Sequence, residues 1–332
     1  NAHITKQFID VLGVGRSLIQ LTYDRFAGVV PSDNVWVVTN QKYVSLVHEQ
    51  LPEIPLNHIL SEPCRRNTAP CIAYVSWRIK KENPKANIVV SPSDHIVTNE
   101  TEFKRVISNC LKFTAETDAV VTLGMKPTRP ETGYGYIQAD LSTASARNRE
   151  IYRVDQFREK PDLPTAEQYI KQNNFFWNAG IFIWSASTIV NAFRIYQPSI
   201  ARIFERIMDV LDTADEQRVI DEVYPECENI SVDYAIMEKA EEIFVCPADF
   251  GWSDLGTWGS LLAQTQHDIY GNAVIGKDVH LFDSKNCIVH TTEERKVVIQ
   301  GLDGYIVAEQ DGKLLICRLS EEQRLKQFTG EG

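Results

Sequence analysis

The stretch Ile88-Val-Val-Ser-Pro-Ser-Asp-His95 constrains the fold more than any other segment of the chain. Three apolar β-branched residues run into a Ser-Pro break, and an aspartate follows at once. This reads as a buried parallel strand that stops with a carboxylate at its C-terminal end. In open α/β sheets, ligands are met just outside the carboxyl ends of the strands. Asp94 is therefore placed where a metal or a polar substrate group would arrive, unless it only caps the next turn, as aspartates often do.

The segments around it extend the pattern. Trp36–Thr39 is a strand candidate, followed by a polar helix around Gln41–Gln50. TAPCIAYVSWRIKKE after Asn67 and TEFKRVISNCLKFTAE after Glu100 carry apolar residues at helical spacing. Ala119–Met125 is another buried strand. This β–α–β–α–β rhythm implies an α/β fold with a mostly parallel sheet and right-handed crossovers. GYGYIQA, REIYRVDQFREKP and FWNAGIFIWSAS read as further strands, and SASTIVNAFRIYQPSIARIFERIMDVL as two helices broken near Pro198. From about Gly271 short β-rich segments follow one another every ten residues or so, as in a small sandwich or a β-solenoid. The expected domains are residues 1–270 and 271–332.

Composition narrows the function classes. The 332 residues carry 43% hydrophobic and 24% charged side chains, ordinary for a soluble globular protein. No run approaches the roughly 18 apolar residues of a membrane span. No secretory leader is visible, and the first residue is Asn. The seven cysteines are scattered without a C-x-x-C pair, so neither a disulfide framework nor a zinc site is indicated, and reduced thiols in the cytoplasm are expected. A net charge of −11 argues against nucleic acid and anionic membranes as partners.

Several short constellations are candidates for chemistry, each with a plainer alternative. Lys6 in TKQF can neutralise a phosphate as a mobile point charge, or be an ordinary surface lysine. In EPCRRNTAP, Glu62, Arg66 and Asn67 can read a base or phosphate, while Asn67 or Thr68 can cap the helix that follows. The glycines of ETGYGYI let a backbone approach a ligand closely, or form a bulge. In FREKP, Glu159 can accept sugar hydroxyls and Lys160 can meet a phosphate, or the two are a solvated pair. Asn178 in FWNAG can bond a sugar or end a turn. Asp233 in SVDYAIMEK can be a ligand or a helix cap. Asp254 in GWSDLGTW could share one Mg²⁺ with Asp94, because Mg²⁺ takes few carboxylates and completes its shell with phosphates and water.

Taken in order, KQF, EPCRRNTAP, SPSDH, TGYGYI, FREKPD, WNAGIF, SVDYAIMEK and DFGWSDLGTW resemble the motifs of the mannose-1-phosphate guanylyltransferase (GDP-mannose pyrophosphorylase) family, from Lys6 to Phe328. RRNTAP with PSDH separates this pattern from the glucose-1-phosphate uridylyl and thymidylyl relatives. The resemblance implies a Rossmann-like nucleotidyltransferase domain and a C-terminal left-handed β-helix-like domain often used for dimerisation. It also implies transfer of GMP from GTP to mannose 1-phosphate, giving GDP-mannose and pyrophosphate with Mg²⁺. On this reading Asp94 and Asp254 hold the metal, and Lys6 stabilises the α-phosphate and leaving group. Glu62, Arg66, Asn67 and Thr68 surround the guanine nucleotide. Gly133, Glu159, Asn178 and Asp233 meet the mannose, with Lys160 on its phosphate. The family opens with a strand and a loop of the kind G-G-x-G-x-R shortly before K-Q-F; these residues start at Asn1, just past that loop. Rival expectations are a nucleotidyltransferase for another sugar phosphate, and a non-catalytic regulatory subunit of the same fold. A fused isomerase domain is not expected within this length.

Overall fold

A computed structural model describes residues 5–145, 147–291, 294–310 and 312–324. The outermost parts of the two expected domains, and Phe328 where the resemblance ends, lie outside the described residues. The chain forms two compact units. One comprises Tyr23–Pro92 and Val97–Trp252; the other comprises the described parts of 1–22, 93–96 and 253–332.

In the larger unit β1 (Val37–Asn40) pairs in parallel with β2 (Ile59–Glu62). A six-stranded sheet is built from β3 (Asn87–Val90), β4 (Val120–Met125), β5 (Tyr136–Ala144), β6 (Tyr152–Arg158), β7 (Phe175–Ser185) and β8 (Ile243–Ala248). Its order is β3-β7-β4-β8-β6-β5. β3, β4, β8 and β5 run one way, and β7 and β6 run against them. The sheet is therefore mixed rather than mostly parallel: four strands share a direction, but only β4 and β8 are neighbours in parallel. The strand responsible is β7, whose half after Gly180, IFIWS, is an apolar run that gives no sign of direction. Such a run suits a strand buried on both faces, and β7 inserts antiparallel between β3 and β4.

Alternation along these strands divides the core. Val121 and Leu123 of β4 and Ile181 and Ile183 of β7 face Phe103, Ile107 and Cys110 of α2 (Glu100–Ala115). Val120, Phe182 and Trp184 face the other way, toward α1 (Thr68–Glu82), α3 (Ala186–Tyr196) and α4 (Pro198–Arg206). There Trp77 meets Phe193 edge-on at 5.9 Å. Pro198 opens α4, where its missing N–H costs nothing.

The smaller unit holds the β-rich tail. β9 (Ala273–Ile275), β11 (Ile288–Thr291) and β13 (Tyr305–Gln310) stack in parallel, and β14 (Lys313–Arg318) closes that sheet antiparallel. β10 (Val279–Phe282) and β12 (Val297–Gln300) form a second parallel pair. The chain thus alternates between two sheets, coil after coil, as expected of a β-solenoid. Ile288 and Ile306 face one way, while Val289 and Val307 pack against Val279 and Ile299 between the sheets. Among the described residues no helix is long and apolar enough to cross a membrane. All seven cysteines lie among the described residues, and none is in a disulfide.

Candidate functional site

In the smaller unit three predicted residues come together. Lys6 sits in a short 3-10 turn, Lys6–Phe8, pinned by the buried Phe8 ring. Its ammonium donates to the main-chain oxygen of Asp254 at 2.5 Å and lies 3.6 Å from Asp94 Oδ2. His95 Nε2 is 3.5 Å from the other Asp94 oxygen. Lys6 and Asp94 both keep about a third of their surface in solvent, at 34% and 39%. The Asp254 carboxylate accepts the Gly256 amide at 2.9 Å across a turn in which Leu255 takes φ +50°. The donor set suits Mg²⁺ in kind, with two carboxylates and a neighbouring cation to complement phosphate. Among the described residues no group of three or more His, Cys, Asp or Glu side chains is arranged as a metal cage.

In the larger unit the predicted nucleotide residues surround the start of α1. Glu62 ends β2 and accepts the Tyr224 hydroxyl at 2.7 Å. Burial raises its pKa, partly opposed by that hydrogen bond and by Arg65. Arg66 donates to the Pro225 carbonyl at 2.7 Å. Asn67 is the helix cap: its Oδ1 accepts the Thr68 amide at 2.9 Å, with the backbone at φ +65°. Such a conformation is unusual away from glycine and clusters at functional sites. The Thr68 hydroxyl accepts the Val232 amide at 2.9 Å, and the Ala69 amide bonds the Ile230 carbonyl. Thr68 thus ties the helix start to the segment that leads into Asp233.

The predicted sugar residues converge more tightly. β7 carries two extra residues relative to β4, since Thr122 pairs with Phe182 but Gly124 with Asn178. This bulge, with Gly180 at φ +70°, begins directly after Asn178, which still pairs with Gly124. Asn178 Nδ2 donates to Asp233 Oδ1 at 2.9 Å, while its Oδ1 accepts the Gly180 amide at 3.1 Å. Asp233 does not cap an α-helix; it opens a π-helical turn, Asp233–Met237, and Ser231 Oγ accepts the Tyr234 amide instead. π-turns are frequent at functional sites. Burial and the nearby Glu159 carboxylate push the Asp233 pKa up to about 6, against the pull of Asn178 and Lys160. Glu159 is 14% exposed and lies 3.4 Å from the Lys160 ammonium, whose own side chain is 64% exposed.

The two glycines of the T-G-Y-G turn are placed differently. The Gly133 amide is already taken by Glu131 Oε1 at 3.0 Å, so this residue offers its bare Cα rather than a donor. The glycine pressed against the sugar cluster is Gly135, where a Cβ would meet Glu159 Oε2 at 2.7 Å. The second glycine of TGYGY was the available signal. Nothing in the sequence marked Tyr224, which lies 162 residues from its partner Glu62.

Residues 2–270 match the family model described as Nucleotidyl transferase, and the chain belongs to that family. It is 34% identical over 329 residues to the xanthan biosynthesis protein XanB of Xanthomonas campestris, covering 98% of this chain and 68% of that protein. It is 35% identical over 333 residues to mannose-1-phosphate guanylyltransferase 2 of Escherichia coli O157:H7, with the same coverages of 98% and 68%. A crystal structure from Thermus thermophilus, described as a mannose-1-phosphate geranyltransferase, superposes with a TM-score of 0.85 at 29% identity, over 98% of this chain and 92% of that one.

Proposed function

We propose that this chain transfers GMP from GTP to α-D-mannose 1-phosphate, releasing pyrophosphate and forming GDP-mannose. The convergence of Glu159, Asn178 and Asp233, from three separate segments, carries the reading. Acceptor oxygens around an amide, with a lysine beside them, suit a polyhydroxylated ligand bearing one phosphate. The name of the E. coli relative, which joins mannose 1-phosphate to a guanylyl group, supports the choice of substrates.

In the reaction, a phosphate oxygen of the sugar phosphate bonds to the α-phosphorus of GTP. The bond from that phosphorus to the bridging oxygen breaks in line, and pyrophosphate leaves with the electron pair. Such chemistry asks the protein for positioning and charge neutralisation rather than a covalent nucleophile. Lys6 neutralises charge on the α-phosphate and the leaving group. Glu62, Arg66, Asn67 and Thr68 hold the guanine nucleotide, Thr68 through the Val232 segment. Lys160 meets the sugar's phosphate, and Gly133 leaves room for the ring. Asp94 and Asp254 would hold Mg²⁺, which when bound supplies positive charge to the triphosphate. On the same reading residues 1–270 are the catalytic part. The β-coil of 271–332, which we take as left-handed, pairs two copies through exposed Phe282, Val298 and Ile316. A cytoplasmic setting is part of the same reading.

The test is pyrophosphate release with Mg²⁺, mannose 1-phosphate and each of GTP, UTP, ATP and dTTP. GTP with mannose 1-phosphate should lead the panel. No turnover with any nucleotide would favour a regulatory subunit, and preference for another pair would reassign the substrates.

A further inference from the structure

We infer that Arg129 is a positioning residue for the sugar 1-phosphate, holding the Lys126–Gly135 loop against the strand that carries Asn178; the inference rests on the function proposed above. The Arg129 guanidinium lies 5.1 Å from the Trp177 ring and 5.9 Å from the Tyr134 ring. Its Nε donates to Glu131 Oε2 at 3.2 Å. The other Glu131 oxygen accepts the Gly133 amide at 3.0 Å, and the Glu131 carbonyl accepts the Tyr136 hydroxyl at 2.8 Å. Tyr134 in turn packs edge-on against Trp177 at 5.2 Å and Trp252 at 5.4 Å. Trp177 immediately precedes Asn178, whose amide donates to the Gly135 carbonyl at 2.9 Å. One cation therefore links Glu131, just ahead of the T-G-Y-G turn, and Tyr134 within it to the strand of the sugar cluster.

Global stability does not account for this arrangement. Arg129 is 48% exposed and Glu131 22% exposed, and such an ion pair contributes about 0–1 kcal/mol. What it fixes is a path. With Glu131 clamped from both sides, the Gly133 amide stays engaged and the Gly135 backbone stays under Glu159. The chemistry also selects arginine over lysine. A planar guanidinium can lie on two aromatic rings while its edge meets a carboxylate, and an ammonium cannot do both.

The experiment measures mannose 1-phosphate binding by calorimetry, and KM for each substrate, in the full chain and in Arg129→Ala, Arg129→Lys and Glu131→Gln. All three variants should bind mannose 1-phosphate about tenfold more weakly, because a displaced loop misplaces the ligand. KM for GTP should stay within about twofold and the urea midpoint should not move, as expected for an exposed pair. Glu131→Gln keeps the side chain's shape, so its effect reports the lost clamp rather than lost bulk. A parent chain that binds mannose 1-phosphate, with variants that bind it equally well, overturns the inference alone. So does recovery by Arg129→Lys, or an equal loss for both substrates. A parent chain that binds no mannose 1-phosphate overturns this inference and the proposed function together.

Discussion

Asp233 is the residue at which stability and function oppose each other. Its carboxyl is buried beside Glu159, and its pKa is raised from 3.8 to about 6. A raised acid pKa means that the folded state resists ionisation. The resulting penalty is complete above pH 6, shrinks as pH falls, and is gone below about pH 4. Asp233→Asn should therefore stabilise the fold by about 1–2 kcal/mol at pH 8, with the gain fading toward pH 4, in urea melts across that range. The same variant should lose most mannose 1-phosphate binding, since an ionised acceptor for a sugar hydroxyl is gone. In the parent, KM for the sugar phosphate should rise as pH drops through 6. A variant no more stable than the parent at pH 8 would contradict the burial argument. Asp94 is the opposite case. It is 39% exposed and its oxygens face Lys6 and His95 at 3.6 and 3.5 Å, so Asp94→Asn should leave the thermal midpoint within about a degree or two. Turnover should fall at least about 100-fold if the carboxylate helps to hold the metal at the reacting phosphate. Near-parental turnover at saturating Mg²⁺ would remove Asp94 from that role.

At the scale of elements, the start of α1 joins local sequence to long-range structure. Asn67 caps the helix while sitting at φ +65°, so its side chain and its backbone make separate demands. Asn67→Gly meets the backbone demand and loses only the cap, whereas Asn67→Ala fails both. Alanine should cost about 2 kcal/mol and glycine well under about 1, read from urea midpoints. Alanine as stable as glycine would show that the positive φ carries no strain. This helix was legible in the sequence because cap, proline and apolar stripe all act locally: TAPCIAYVSWRIKKE is the observed Thr68–Glu82. The strands β4 and β7 were equally legible from their apolar runs. Their directions were not, because an unbroken apolar strand looks the same whether its neighbour runs with it or against it. The bulge that follows Asn178 was hidden for a related reason, since it depends on the register between two strands far apart in the chain. The acid at Asp233 was visible, but the π-turn beneath it was not, because a Ser-x-Asp start is indistinguishable from a helix cap.

At the scale of the whole molecule, charge sets a condition that no single residue reveals. The chain carries −11, while both proposed substrates are anions. The cations proposed to receive them are few, chiefly Lys6, Lys160 and Arg66. How far a substrate senses the rest of the protein depends on ionic strength. The screening length is about 30 Å at 10 mM salt and about 8 Å at 150 mM. At low salt an approaching triphosphate feels the whole acidic surface; at moderate salt it feels mainly the nearby lysines and arginines. With Mg²⁺ held constant, kcat/KM for GTP should therefore rise about two- to fivefold between 10 and 100 mM KCl. It should fall again at higher salt, as the local attraction is screened in turn. A rate that only declines from the lowest salt upward would mean that the local cations dominate at every distance. In that case net charge would be irrelevant to encounter. Lys160→Ala sharpens the comparison: kcat/KM for mannose 1-phosphate, also an anion, should show the same rise and fall with salt in the parent, and with one local cation removed the rise should persist while the fall becomes shallower, because screening then has less attraction to remove.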